Sequence, residues 1–151
     1  MIKIICVGKI KEKYLIDAIN EYVKRIKKYS KIEIIELLDE SQGEVDKILK
    51  LEAKKIDKYL NPKDFIISLE IDGKILKSEE LATLIDQKLI KHSNITFIIG
   101  GSYGIDKSIK DKSNYHLSFS KMTFPHQLFR LLLLEQIYRS FKINNNESYH
   151  K

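Results

Sequence analysis

Apolar residues in this chain come in short unbroken runs separated by amphipathic stretches, and that alternation is its first structural signal. Residues 2–7 (Ile-Lys-Ile-Ile-Cys-Val) read as a buried strand closed by Gly8. Residues 11–28 then place Leu15, Ala18, Ile19, Tyr22, Val23 and Ile26 on one helical stripe, with lysines and glutamates opposite. Residues 31–38 form a second strand and Asp39–Gly43 a polar loop. A charged helix follows over 44–60, with Val45, Ile48, Leu49, Ile56 and Leu60 as its thin apolar face, and Asn61-Pro62 stops it. A third strand over 64–70 leads through Asp72-Gly73 to Ser78; the pair is a hairpin-turn signal, but a helix follows too soon for a long second strand. That serine is the expected N-cap of a helix reaching Lys91, with Leu81, Ala82, Leu84, Ile85 and Leu89 inward. The fourth strand is 95–99, a short helix begins at Asp106, and 115–119 is the fifth strand. Pro125 opens a last helix that runs to Ile143, and the tail 144–151 has no periodicity.

Strands alternating with helices, and runs such as Phe65-Ile-Ile that are apolar on both faces, predict an α/β fold. Its sheet should be mostly parallel, of five or six strands, with helices on both faces. No linker, repeat or low-complexity stretch interrupts the 151 residues, which fit a single domain, long enough to bury about 70% of the unfolded chain's surface. The last helix is unusual: Leu128, Phe129 and Leu131–Leu134 leave almost no polar side before Glu135. A helix apolar all round is buried all round, so this one is expected to serve a homodimer interface as well as the core.

Composition changes the picture in three ways. The single cysteine, Cys6, lies inside the first strand; it cannot form an internal bridge and reads as a packed thiol. The longest uninterrupted aliphatic run, Leu131–Leu134, cannot span a membrane, and the amino-terminal run lacks the features of a signal peptide, so the expectation is a cytoplasmic protein. The net charge of +6 is uneven: residues 1–104 carry 19 basic and 17 acidic side chains, residues 105–151 carry 8 and 4, including two of the three arginines. That bias beside the glycine-rich segment points to a polyanionic partner.

Candidate chemistry concentrates in residues 94–126. Gly100-Gly101-Ser-Tyr-Gly104 ends a β-branched run, as α/β proteins do where bare backbone N–H groups meet a ligand. It is neither the phosphate-cradling G-x-x-x-x-G-K-[ST] nor the dinucleotide G-x-G-x-x-G. Gly101–Gly104 matches the GXXG of KH RNA-binding loops, but a strand precedes it where a helix is required. Taken alone, it is either a tight turn or a ligand site; if a site, a side chain at Gly101 should fill the ligand's approach. Ser118–His126 is either a capped helix entrance or a loop whose backbone holds an adenine edge while Met122 and Phe124 pack its faces. His126 and Arg130 share a helix face, and Arg139, nine residues on, is read as continuing it. Tyr149-His150-Lys151 is either a frayed end or a set of groups that stack on a base and bind phosphate. No Cys/His spacing suggests a metal site.

These segments together resemble the ribosomal RNA large subunit methyltransferase H family. The resemblance rests on Ile98–Ile105, on Ser113–Gln127 with its Phe-Ser-Lys-Met-Thr-Phe-Pro-His block, on Leu134–Ile143, on the terminal Tyr-His-Lys and on Ile4–Tyr14, so it covers essentially the whole chain. It implies a SPOUT fold with a trefoil knot in the C-terminal third, an exception to unknotted topology. It also implies an obligate homodimer, S-adenosyl-L-methionine as methyl donor without a metal, and methylation of N3 of a pseudouridine in a 23S rRNA stem-loop, within the assembled ribosome. By position, it assigns cofactor contacts to Leu69, Gly100, Gly101, Phe119, Ser120, Lys121, Met122, Thr123 and Phe124, and substrate or catalytic roles to His126, Arg139, Tyr149 and His150. Tyr103 stands where relatives more often carry a short polar side chain. Such a reaction asks the protein to align an in-line attack and manage one proton. Arg130, Arg139 or His150 would favour the anionic base, and a histidine could accept the proton. The rival reading is a non-catalytic RNA- or ribosome-binding protein using the same basic face.

Overall fold

The structure is a computed structural model describing residues 1–151. Five strands form one sheet: β1 (Ile2–Val7), β2 (Ile32–Leu37), β3 (Phe65–Ile75), β4 (Ile95–Ile99) and β5 (Tyr115–Ser118). Their order is β2-β1-β4-β3-β5, and every pairing is parallel. The helices are α1 (Lys13–Ile26), α2 (Val45–Asp57), α3 (Ser78–Lys91), α4 (Lys107–Lys110) and α5 (His126–Asn144).

Alternation along the strands sorts side chains between two cores. Ile2, Ile4 and Cys6 of β1, Phe65 and Ile67 of β3, and Ile95, Phe97 and Ile99 of β4 meet α1, α3 and α5. Ile5, Val7, Ile66 and Ile98 point the other way, against Ala53 and Ile56 of α2 and Ile109 of α4. This is the expected α/β sandwich, all-parallel where mostly parallel was predicted, with β1 and β4 covered on both faces. Cys6 is fully buried, as expected, and burial pushes its thiol up to about 12.

Several elements depart from the sequence reading. The third strand runs past its expected end at residue 70: β3 continues to Ile75 alongside β5. Leu117 pairs first with Leu69 and then with Lys74, so Glu70–Gly73 bulge out between them. Gly73 is required there because a Cβ would lie 2.8 Å from the backbone of His116 and Leu117; close approach, not turn geometry, explains the glycine. Ser78 is the first residue of α3 rather than its cap. The Lys77 N–H at that end is instead held by Glu80 Oε1 at 2.8 Å, and the Ser78 hydroxyl donates to Gln136 of α5 at 2.8 Å. Val45, assigned to the apolar face of α2, is 45% exposed. In α5, Leu133 and Leu134 are fully buried within the chain while Leu131 and Leu132 are half-buried, so the core absorbs half of the leucine run.

Candidate active site

The carboxyl ends of three adjacent strands, β4, β3 and β5, carry the segments expected to hold a ligand. After fully packed β4 the chain folds back at once: Gly104 N–H donates to Gly101 C=O at 3.1 Å, and Gly104 lies at φ +87°. A Cβ on Gly100 would stand 2.3 Å from Gly104 O, so only glycine permits the reversal. Gly101 differs from expectation. A Cβ there would point inward, 3.1 Å from Val7 Cγ1 and 3.3 Å from both oxygens of Glu52, rather than into the approach of a ligand. Leu69, in the neighbouring strand, is half-buried against the larger core.

Beside this edge a cleft of about 260 Å³ opens between the start of α3, the end of β5 and α5. Leu117, Ser118, Phe119 and Phe124 line it together with Leu76, Ser78, Leu132, Glu135 and Gln136. The connecting loop is shaped by its own polar atoms: Ser118 Oγ donates to Ser120 C=O and Ser120 Oγ accepts the Met122 N–H, both at 3.0 Å. Phe119 and Phe124 are pinned on Phe129, with ring centroids 4.8 and 6.3 Å away. Lys121, Met122 and Thr123 are exposed, and Met122, expected to pack one face of a bound base, is 75% exposed and off the cleft wall.

One wall of the cleft, Glu135, ties it to three of the four predicted catalytic residues. Glu135 Oε1 accepts from Arg139 Nε at 3.0 Å, from Arg139 Nη2 at 2.5 Å and from the Tyr149 hydroxyl at 3.1 Å. The Arg139 guanidinium also lies over the Tyr149 ring, 4.8 Å from its centroid. Arg139 Nη1 is 3.0 Å from His150 Nδ1, and His150 Nε2 is 2.7 Å from Glu79. A guanidinium can only donate, so Nδ1 accepts and the proton sits on Nε2, donated to Glu79. Burial raises the Tyr149 pKa, with Tyr22 and Glu135 adding to it; the Glu135 hydrogen bond raises that of Arg139; and the His150 hydrogen bond lowers that of Glu79. The tail is therefore docked, not frayed. Sequence reasoning missed Glu135 and Glu79, although Glu135 stands one helical turn before Arg139.

His126 is not part of this group. Nine residues are two and a half helical turns, so Arg139 faces away from Arg130, and thirteen residues put it about 20 Å along the axis from His126. The expected common face is thus corrected. His126 packs instead on the end of β1: a Cβ on Gly8 would lie 2.9 Å from its Nε2. Burial, then the neighbouring Arg130 charge, lower its pKa, with Asp39 opposing. Arg130 is no surface cation either, being 2% exposed, paired with Glu36 and donating through Nη2 to Gly8 C=O at 2.9 Å. Its Nε and the Oε1 of Glu52 are the two buried side-chain polar atoms without a partner.

A further cluster looks nucleophilic but is not. Ser68 Oγ donates to Glu70 Oε2 at 2.5 Å and lies 3.0 Å from His116 Nδ1, which also meets Glu70. Ser68 is fully buried beneath these two partners, so its oxygen has no path to a substrate. No group of three or more His, Cys, Asp or Glu is placed to hold a metal ion. No helix is long and apolar enough to cross a membrane.

Comparison with known proteins decides the family. The family model described as "Predicted SPOUT methyltransferase" matches residues 1–150. The chain belongs to the SPOUT methyltransferase family. A Methanococcus maripaludis relative is 59% identical over 99% of each chain. The Clostridium novyi protein named ribosomal RNA large subunit methyltransferase H is 52% identical over 99% of each chain, and the Caldicellulosiruptor saccharolyticus protein of that name is 48% identical over the full length of both.

Proposed function

We propose that this SPOUT methyltransferase is a single catalytic domain that methylates large-subunit ribosomal RNA, using S-adenosyl-L-methionine to modify N3 of a pseudouridine in a 23S rRNA stem-loop of the assembled ribosome. The carrying observation is the junction, through Glu135, of an aromatic-walled cleft with a cluster of arginine, tyrosine and histidine. The names of the relatives support the RNA substrate. On this reading the protein is cytoplasmic and the segment from β4 to α5 forms the family's knot.

The residues present fit the donor. Of the residues the resemblance assigns to it, Phe119 and Phe124 wall the cleft, Leu69, Gly100 and Gly101 stand at the neighbouring strand ends, and Ser120, Lys121, Met122 and Thr123 lie in the loop between the two rings. The cleft, at about 260 Å³, is just below the common range for ligand sites (about 300–1,000 Å³) and suits part of the molecule. When bound, the donor supplies a sulfonium-activated methyl group. Arg139 holds a positive charge where the base nitrogen must carry its lone pair after losing its proton, Tyr149 offers a stacking face, and His150 donates from Nε2. In this arrangement Arg139 and His150 are engaged by Glu135 and Glu79, so an anionic RNA substrate must displace those carboxylates to be bound. His126 is left outside this chemistry within one chain. The homodimer is proposed through the outer side of α5, where Leu128 is exposed, and the loop before it, where Met122 is.

Calorimetric titration with S-adenosylmethionine tests the donor, and mass spectrometry of rRNA nucleosides from a deletion strain tests the product. Absence of heat and of stabilisation would favour the RNA-binding rival. Loss of a methylpseudouridine on deletion, restored by the gene, is the expected result.

A further inference from the structure

Glu52 is a carboxyl group with no visible reason to be buried. It lies on α2, 4% exposed, and its Oε2 accepts the Glu40 N–H at 3.0 Å while Oε1 has no partner. Both oxygens come within 3.3 Å of where a Cβ on Gly101 would stand, so the carboxyl sits directly behind the glycine loop. Nothing nearby neutralises it. Asp39 and Glu40, in the loop before α2, are themselves acidic. The nearest cation, Lys55, is spent on Glu40 at 2.7 Å and on the Leu38 carbonyl at 2.8 Å. Val7 and Gly101 close the remaining sides with apolar and backbone atoms. Buried carboxylates are costly unless paired, and an oxygen left without a donor calls for a charge that arrives later.

We propose that Glu52 is a positioning residue that supplies the counter-charge behind the glycine loop, favouring the sulfonium form of the donor over the uncharged thioether left after methyl transfer. The inference rests on the reading of Gly100–Gly104 as part of the donor site. Donor and product both carry the amino-acid ammonium group, so only the sulfur charge separates them. Across a buried backbone loop, one carboxylate felt by one cation is enough for about a tenfold preference. Burial raises the Glu52 pKa, with Glu40 N–H and Lys55 opposing and Asp39 and Glu40 adding to the rise. A cation bound in front of the loop opposes that rise by favouring the charged form.

The test is calorimetric titration of the full chain with S-adenosylmethionine and with S-adenosylhomocysteine, for wild type and Glu52→Gln. Gln keeps the shape and an acceptor for Glu40 N–H. Expected is about a tenfold loss of donor affinity in the variant with product affinity little changed. Repeating both titrations with Glu52→Asp, which keeps the charge, should restore part of the preference for donor over product. Equal losses for both ligands, or no change in either, would overturn the proposal. Failure of wild type to bind either ligand would instead remove the donor-site reading on which it rests.

Discussion

Glu36 and Arg130 show how unequal the two halves of an ion pair can be. Arg130 is 2% exposed, whereas the Glu36 side chain is 38% exposed and can return to water. Glu36→Ala leaves a buried cation with only the Gly8 carbonyl, and should destabilise by about 3 kcal/mol or more in urea unfolding. Arg130→Met fills most of the same space without the charge and should cost clearly less; the reverse ranking would show that the pair matters through Arg130 packing. His126 gives a pH prediction. Its folded pKa lies below the ordinary 6.5, so the unfolded chain binds its proton first. Stability is therefore lost as pH falls from 6.5 toward the lower folded value, and His126→Gln should flatten the fall of Tm with pH across that window. At this scale the sequence was legible for neighbours and illegible for partners. The four-residue spacing put His126 beside Arg130, but nothing in it showed Glu36, ninety-four residues away, to be the counter-charge.

Elements were read best where burial left no choice. β1 and β4 are apolar but for Lys3 and Thr96, both of which meet Asp64, because helices cover both of their faces, and runs of that kind have one interpretation. β3 was read worst. Asp72-Gly73 carries a turn signal, yet the local preference loses to pairing with β5 and the glycine answers to a neighbouring backbone. In α5 the leucine run divides by face. Leu133, fully buried in the chain, is a core residue, so Leu133→Ala should cost about 3 kcal/mol by thermal or urea unfolding. Leu128, 38% exposed on the outer side, is the position for a dimer test. Leu128→Lys should keep a wild-type circular dichroism spectrum and sediment as a monomer, and a wild-type monomer at micromolar concentration would remove the proposed interface.

The whole molecule brings its two ends together. The Tyr149 ring packs edge-on against Tyr138 with centroids 4.9 Å apart, and its hydroxyl reaches Tyr22 of α1 at 3.5 Å. Deleting Tyr149–Lys151 should therefore lower stability by about 1–2 kcal/mol, where composition alone suggested no effect, and abolish most methyl transfer to undermodified ribosomes in a tritium assay. Full turnover by the truncated protein would make the tail a structural clasp only. Strand order was the part no local pattern could announce: β4 lies at the middle of the sheet, β1 sits between it and β2, and β3 joins from beyond β4. That order matters for biosynthesis. Residues 2–6 leave the ribosome early, but their partners on one side, 95–99, emerge some ninety residues later. At translation rates of about 5–20 residues per second, one side of β1 waits roughly 5–20 s for its neighbour. A nascent chain of this protein thus exposes an open strand edge for most of its own synthesis, and dependence on a chaperone at that stage would be written into the order of its strands.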